Sequence, residues 1–248
     1  MSEAFQPVAV RPPSENRLLF WLRCTVDLQL LTIFRFLVLP LSSCRGRVLD
    51  VGAGEAPWRD FLAAGVEYVG VDVDLSGEFG MRRQTGITYY DGKRLPFEDG
   101  SFDHVLCTEV LEHVPDPSAF LADLIRVLRQ GGTLIMTVPW SARLHHLPHD
   151  YGRFTHFGLL ALLGAAGFSE ITIEERGNDI AVIANKLLVV MIRLLSPRRL
   201  SDFIWTLAAA ALLLPVVVVS LCVAHAALFL HAGSKDDPLG YGVIAVKA

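Results

Sequence analysis

The residues best suited to chemistry fall into two groups. The first is Asp50-Val51-Gly52-Ala53-Gly54, a glycine turn directly after a short apolar run, with Asp72 closing the next apolar run. Glycines there let a ligand touch backbone, a helix N-terminus offers N–H groups to its polar end, and a carboxylate at the end of the second run suits two ribose hydroxyls. Spacing alone also fits a dinucleotide enzyme, but the third glycine of G-x-G-x-x-G falls on Pro57, which leaves out the helix-packing glycine. The second group follows Pro139-Trp140-Ser141 and runs His145-His146-Leu147-Pro148-His149-Asp150-Tyr151-Gly152-Arg153-Phe154-Thr155. In one reading His149 abstracts a hydroxyl proton, Asp150 orients it and Arg153 holds an anionic acceptor. Two others stay open: His145, His146, His149 and Asp150 as metal ligands, or an ordered loop in which Asp150 pairs with Arg153 and Thr155 caps the next helix. His113 shares that ambiguity.

These residues need elements to hold them. Strands are predicted at 47–51, 68–72, 87–90, 102–107, 133–138, 170–175 and 240–247, with helices at 58–64, 118–128 and 157–166 and a turn at Gly131-Gly132. Strands alternating with helices at this spacing give an α/β fold with a doubly wound, mostly parallel, seven-stranded sheet. Residues 46–179 form that body, and 233–248 return to it as the last strand. Residues 1–45 read as a loose proline-rich stretch and then one amphipathic helix, from an N-cap at Ser14 through Leu39 and stopped by Pro40. Asn16, Arg17, Arg23, Asp27 and Arg35 share one arc of that helix, which either covers the core or lies in a membrane surface.

The motifs resemble a known family. Val48-Leu49-Asp50-Val51-Gly52-Ala53-Gly54, then Gly70-Val71-Asp72, then Asp91 followed by Leu95-Pro96-Phe97-Glu98-Asp99-Gly100-Ser101-Phe102-Asp103, then Glu109-Val110-Leu111-Glu112-His113-Val114, are similar in order and spacing to the type-11 group of class I S-adenosylmethionine-dependent methyltransferases. The resemblance spans residues 46–176. It implies a Rossmann-like methyltransferase fold with S-adenosylmethionine as cofactor. Gly52, Ala53 and Gly54 would hold the methionine end with Asp50 nearby, Asp72 the ribose and Asp91 the adenine amino group, with Glu109 in the same site; no metal is implied. The sequence departs from the family at Ala56, where many relatives carry glycine, and a slightly altered turn is expected. The H-D-Y-x-R-F-T stretch at 149–155 resembles one found in membrane-associated or glycan-linked members, which implies methyl transfer to a hydroxyl of a lipid or lipid-linked saccharide.

Composition sharpens the setting. The 248 residues are 52% hydrophobic and only 19% charged, which excludes a disordered chain and hints at a membrane. A net charge of −4 leaves no basic field for nucleic acid. Cys24, Cys44, Cys107 and Cys222 are scattered without C-x-x-C, which indicates neither a disulfide framework nor a zinc site and fits the cytoplasm. Leu41-Ser42-Ser43-Cys44 resembles a lipoprotein cleavage box, but Asp27 and Arg35 interrupt the apolar stretch before it.

Residues 180–232 are an apolar insertion between the last two strands: 180–195 carry Lys186 and Arg193, and 203–230 carry no Asp, Glu, Lys or Arg. An insertion at that point leaves and returns on one side of the sheet. The expectation is a shallow hairpin entering at Phe203, bending at Pro215 and leaving by Leu230, with Arg17, Arg23, Arg35, Arg193, Arg198 and Arg199 at anionic lipid headgroups. The result is a monotopic or re-entrant enzyme on the cytoplasmic face of a membrane. The alternative is a binding or scaffold protein at the membrane that keeps the fold without catalysis.

Overall fold

The computed structural model describes residues 7–74, 81–197 and 203–248. Its centre is a seven-stranded sheet built from β1 (Arg47–Val51), β2 (Glu67–Val73), β3 (Ile87–Tyr90), β4 (Phe102–Thr108), β5 (Leu128–Pro139), β6 (Phe168–Arg176) and β7 (Gly240–Lys247). The order is β3-β2-β1-β4-β5-β7-β6, with β7 antiparallel to both β5 and β6. β1 pairs along its length with β2 and from Val48 to Val51 with β4, and its last four residues are buried, as expected of a short apolar run at the middle of a parallel sheet. The strand order reverses between β1 and β4, so a crevice opens beyond their carboxyl ends. Residues 52–54 and 109 leave the sheet there.

α3 (Pro117–Val127) and α4 (His156–Ala166) are both capped by side chains: Asp116 accepts from Ala119 N, and Thr155 accepts from Gly158 N. α3 buries Leu121, Leu124 and Val127, an i, i+3, i+6 stripe, against the sheet. The helix expected at 58–64 is absent; only a single 3₁₀ turn, Arg59–Phe61, lies between β1 and β2. The face is covered from elsewhere: Trp58 and Phe61 pack on Phe20 and Phe34 of the N-terminal segment.

That segment differs from the expected single helix. It forms α1 (Arg17–Val26) and α2 (Leu28–Ser43), bent by 115°. Asp27 is the break: its backbone N–H closes α1 on Arg23 O, and its side chain caps α2 by accepting from Leu30 N. Asn16, not Ser14, caps α1, and Pro40 lies within the last turn of α2 rather than ending it. α2 buries Leu28, Leu37 and Leu41 against the sheet, so it covers the core, while α1 exposes Leu18, Leu19 and Leu22. Residues 8 and 9 are tied down, since Arg23 donates to both of their carbonyls. Arg23 is therefore not presented to a headgroup; Arg17 and Arg35 are exposed.

The insertion is a helical hairpin of α5 (Asp179–Leu195) and α6 (Phe203–Leu230). Its ends meet at the sheet, where Asn178 Nδ2 donates to Ala232 O (2.7 Å) and Asp179 N to Ser234 O (3.0 Å). α6 does not bend back at Pro215; it is one helix of 28 residues, about 42 Å long. Ala210, Val217 and Ala224 recur every seven residues as its buried seam, and Pro215 lies on the exposed face. That seam holds both halves to α5, so the proline does not turn the chain. Arg193 is exposed near the far end of α5, and Arg198 and Arg199 lie outside the described residues.

Candidate active site

A cavity of about 1000 Å³ lies over the crevice. Its floor is Gly52-Ala53-Gly54 with Asp72 and Asp91 to one side, and Glu109, His145, His146 and His149 to the other. Gly52 has φ +72°, and a Cβ there would lie 2.3 Å from Val110 Cγ2; Gly54 has φ +54°, and a Cβ would lie 2.7 Å from Met81 Sδ. Both places favour glycine, since a Cβ at either adds backbone strain and displaces a neighbouring side chain. Ala56 takes the left-handed conformation at φ 53°, at a backbone cost of about 1 kcal/mol.

The turn departs from expectation in one respect. No helix starts behind it, and its amides are used internally: Gly52 N and Ala53 N both donate to Val71 O, and Gly54 N donates to Asp72 Oδ2 at 2.8 Å. A ligand meets glycine backbone here, without these three donors. Asp72 Oδ1 accepts from Val73 N at 2.7 Å, so each oxygen keeps capacity for a ligand hydroxyl. Burial pushes the Asp72 carboxyl up, and these two amides oppose the shift. Asp91 accepts from Lys93 N, which fixes its loop at the cavity edge.

Asp50 does not line the cavity. It is fully buried beneath the turn, and Tyr68 donates its hydroxyl to Asp50 Oδ2 at 2.8 Å. Burial, with a further push from Asp72, raises Asp50 to about 7 from the ordinary 3.8, against the lowering effect of Tyr68. Because ionisation is harder in the folded state, this contribution to stability is whole below about pH 4 and is lost as pH rises through about 7. Asp50→Asn, which still accepts from Tyr68, is expected to flatten that slope and raise the melting temperature at pH 8 by about 5 °C. Thermal unfolding scans between pH 4 and 8 check this, and a slope like that of wild type contradicts it.

Glu109 is held by force of context. Its φ is 53°, a left-handed conformation that costs a non-glycine residue about 1–2 kcal/mol. Its N–H donates to Thr137 O, and its Oε1 accepts from Arg176 Nη2 at 2.8 Å. Arg176 is buried and also donates to Val138 O and Tyr241 O, tying β5, β6 and β7 behind the site. Sequence reasoning missed Arg176, since a basic residue at a strand end reads as solvent-facing. Arg176→Met leaves those carbonyls without a donor and is expected to cost about 3 kcal/mol, lowering the melting temperature by about 6–12 °C in calorimetry.

In the histidine loop, Asp150 does not orient His149. Both its oxygens accept from Arg153, one at 2.9 Å, and its Oδ2 also accepts from His145 N at 3.0 Å. Arg153 is likewise engaged, donating to the carbonyls of Arg143 and Gly152, and it does not line the cavity. The pairing of Asp150 with Arg153 leaves no guanidinium for an anionic acceptor. His149 does line the cavity, with its Nδ1 3.5 Å from the Tyr151 hydroxyl. The remaining wall was not legible in the sequence: Leu188, Val189 and Ile192 of α5 face Val26, Leu30 and Ile33 of the N-terminal helices across the same space.

A family model for a methyltransferase domain matches residues 49–136, the stretch that carries the glycine turn, Asp72, Asp91 and Glu109. Residues 49–136 thus resemble a methyltransferase domain in sequence. Among curated proteins, an uncharacterized methyltransferase of Mycobacterium sp. strain JLS is 42% identical over 94 residues, which are 36% of this chain and 37% of that protein. The tocopherol O-methyltransferase of Arabidopsis thaliana is 33% identical over 108 residues, 39% of this chain and 31% of that protein. The chain thus spans about a third of the length of these relatives. The fold likeness runs further. A solved S-adenosylmethionine-dependent methyltransferase of Thermotoga maritima superposes with a TM-score of 0.55 at 13% identity, covering 95% of this chain and 97% of that one. The chain therefore has the class I methyltransferase fold, with the apolar hairpin inserted before β7 of the sheet.

Proposed function

We propose that this chain transfers a methyl group from S-adenosylmethionine to a hydroxyl of a lipid or lipid-linked saccharide at a membrane surface. One observation carries the reading: the cavity that begins at the glycine turn and Asp72 continues without interruption to an apolar wall made by α5 and the N-terminal helices. The glycine surface and the carboxylates of Asp72 and Asp91 fit a cofactor with a ribose and an adenine. When bound, S-adenosylmethionine supplies a methyl group activated on a sulfonium. The chain's part is to position and to exclude water. Gly52 and Gly54 admit the ligand against backbone, Asp72 accepts from its ribose hydroxyls, and Asp91 accepts from its amino group. His149, on the cavity wall, takes the proton from the acceptor hydroxyl. The apolar wall holds the acceptor's hydrocarbon and keeps bulk water from the reacting oxygen.

The hairpin supports the membrane part of the reading. α6 is long and apolar enough to cross a membrane by length and composition, and it exposes Trp205, Leu212 and Phe229 at 79%, 80% and 76%. Its return to the sheet beside α5 lets it embed in a bilayer while the sheet stays on one side. The tocopherol O-methyltransferase of Arabidopsis adds a relative whose named acceptor is tocopherol. Tritiated-methyl transfer into a total membrane lipid extract tests the proposal. Label in a base-stable, organic-soluble product supports it, and label confined to protein or water-soluble acceptors contradicts it.

A further inference from the structure

Beside the cavity lies a side-chain cluster that this reading does not use. His113, in the single turn Leu111–His113 after β4, and His145 and His146, in the loop after β5, bring one ring nitrogen each within 4.8 Å of one another. Glu112 lies against them, fully buried, and neither of its carboxylate oxygens has a hydrogen-bond partner. Its Oε1 is 3.7 Å from His113 Nε2 and 4.0 Å from His145 Nε2.

The opposite nitrogens of two rings are engaged. His113 Nδ1 lies 2.6 Å from the carbonyl oxygen of His149, which only accepts, so that nitrogen carries the hydrogen. His145 Nδ1 lies 3.1 Å from Arg143 O and 3.3 Å from Asp150 Oδ2, which fix it in the same way. A neutral imidazole that donates from Nδ1 presents its lone pair at Nε2. Both lone pairs therefore stand on the Glu112 side. Histidines that ligate metals use this arrangement, with the far N–H held by a carboxylate or a carbonyl.

We propose that His113, His145, His146 and Glu112 bind a divalent transition-metal ion of the zinc type. Imidazole and carboxylate donors suit zinc, whose bonds of about 2.0–2.1 Å place tetrahedral ligands about 3.3 Å apart. The observed separations from Glu112 need to close by about half an ångström. The ion supplies the charge that the buried carboxylate lacks. Because the three histidines also line the large cavity, the ion would stand at its wall, where a bound water would be made more acidic. The proposal rests on this cluster and not on the methyl-transfer reading.

The test uses the full-length protein, stripped with chelator and titrated with Zn²⁺ against a fluorescent indicator, with Co²⁺ as a spectroscopic probe. One equivalent of Zn²⁺ is expected, with raised melting temperature and a Co²⁺ visible spectrum of low-coordinate type. His145→Ala and Glu112→Gln are each expected to weaken Zn²⁺ binding more than about tenfold, whereas His231→Ala, at an exposed histidine elsewhere, leaves it unchanged. Glu112→Gln keeps the side chain's shape, so it carries the test if His145→Ala does not fold. Absence of stoichiometric binding at micromolar Zn²⁺, or an affinity that Glu112→Gln leaves intact, overturns the proposal whether or not the protein methylates anything.

Discussion

Asp72→Ala is expected to weaken S-adenosylmethionine binding by at least about a hundredfold in isothermal titration. The carboxylate stands at the end of β2 with one oxygen on Gly54 N and the other on Val73 N, so its position is set by the backbone on both sides. Hydrogen bonds from a ligand to a charged group are worth about 1.5–3 kcal/mol each, and two ribose hydroxyls together account for the hundredfold. Loss of the side chain also frees the Gly54 amide, so the glycine turn loosens where the ligand would touch it. Asp72→Asn keeps an acceptor for Gly54 and is expected to fall between, at about a tenfold loss. Wild-type affinity in Asp72→Ala would refute the ribose assignment.

His149→Ala should separate binding from turnover. The ring lies on the cavity wall, away from the glycine turn and Asp72, so cofactor affinity is expected to stay within about twofold of wild type. If the imidazole takes the acceptor proton, kcat falls by about 10²–10⁴. Single-turnover kinetics with labelled cofactor and membrane lipid extract measure this. Full activity removes His149 as the base. Tyr151→Phe is the companion variant, because the tyrosine hydroxyl is 3.5 Å from His149 Nδ1.

What could be read from the sequence was local, and what could not was made by distant segments meeting. Gly52, Gly54 and Asp72 announce themselves because only their residue types fit a turn with positive φ and a carboxylate at a strand end. The strand pattern gives the sheet, including β7, because burial on both faces leaves continuous apolar runs. Asp27 misled because, in a period-3.6 pattern, a capping aspartate and a polar-face aspartate look alike; the break is decided by α2 packing on the sheet. Pro215 misled in the opposite sense, since a seven-residue seam against α5 outweighs one missing N–H. Asp150 shows the same limit. Its pairing with Arg153 three residues away was among the open readings, but its contact with His145 rather than His149 depends on how the loop folds back over Glu112. The apolar cavity wall joins α2 and α5, some 150 residues apart in sequence, and no window of sequence contains it.

If the glycine-turn cavity and the apolar hairpin serve one reaction on a membrane-borne acceptor, charge on the hairpin should abolish that reaction. The comparison is between the wild type and a variant carrying Ile204→Glu, Trp205→Glu and Leu212→Glu on the exposed face of α6. Both are assayed for tritiated-methyl transfer from S-adenosylmethionine into vesicles made from the total membrane lipid extract. The wild type is expected to float with the vesicles and to label a lipid-soluble product. The variant should bind S-adenosylmethionine equally well but lose most vesicle flotation and at least about nine-tenths of the transfer rate, given the cost of placing charge in hydrocarbon. Equal labelling by both proteins, or no lipid-soluble product from a wild type that binds S-adenosylmethionine, would contradict it.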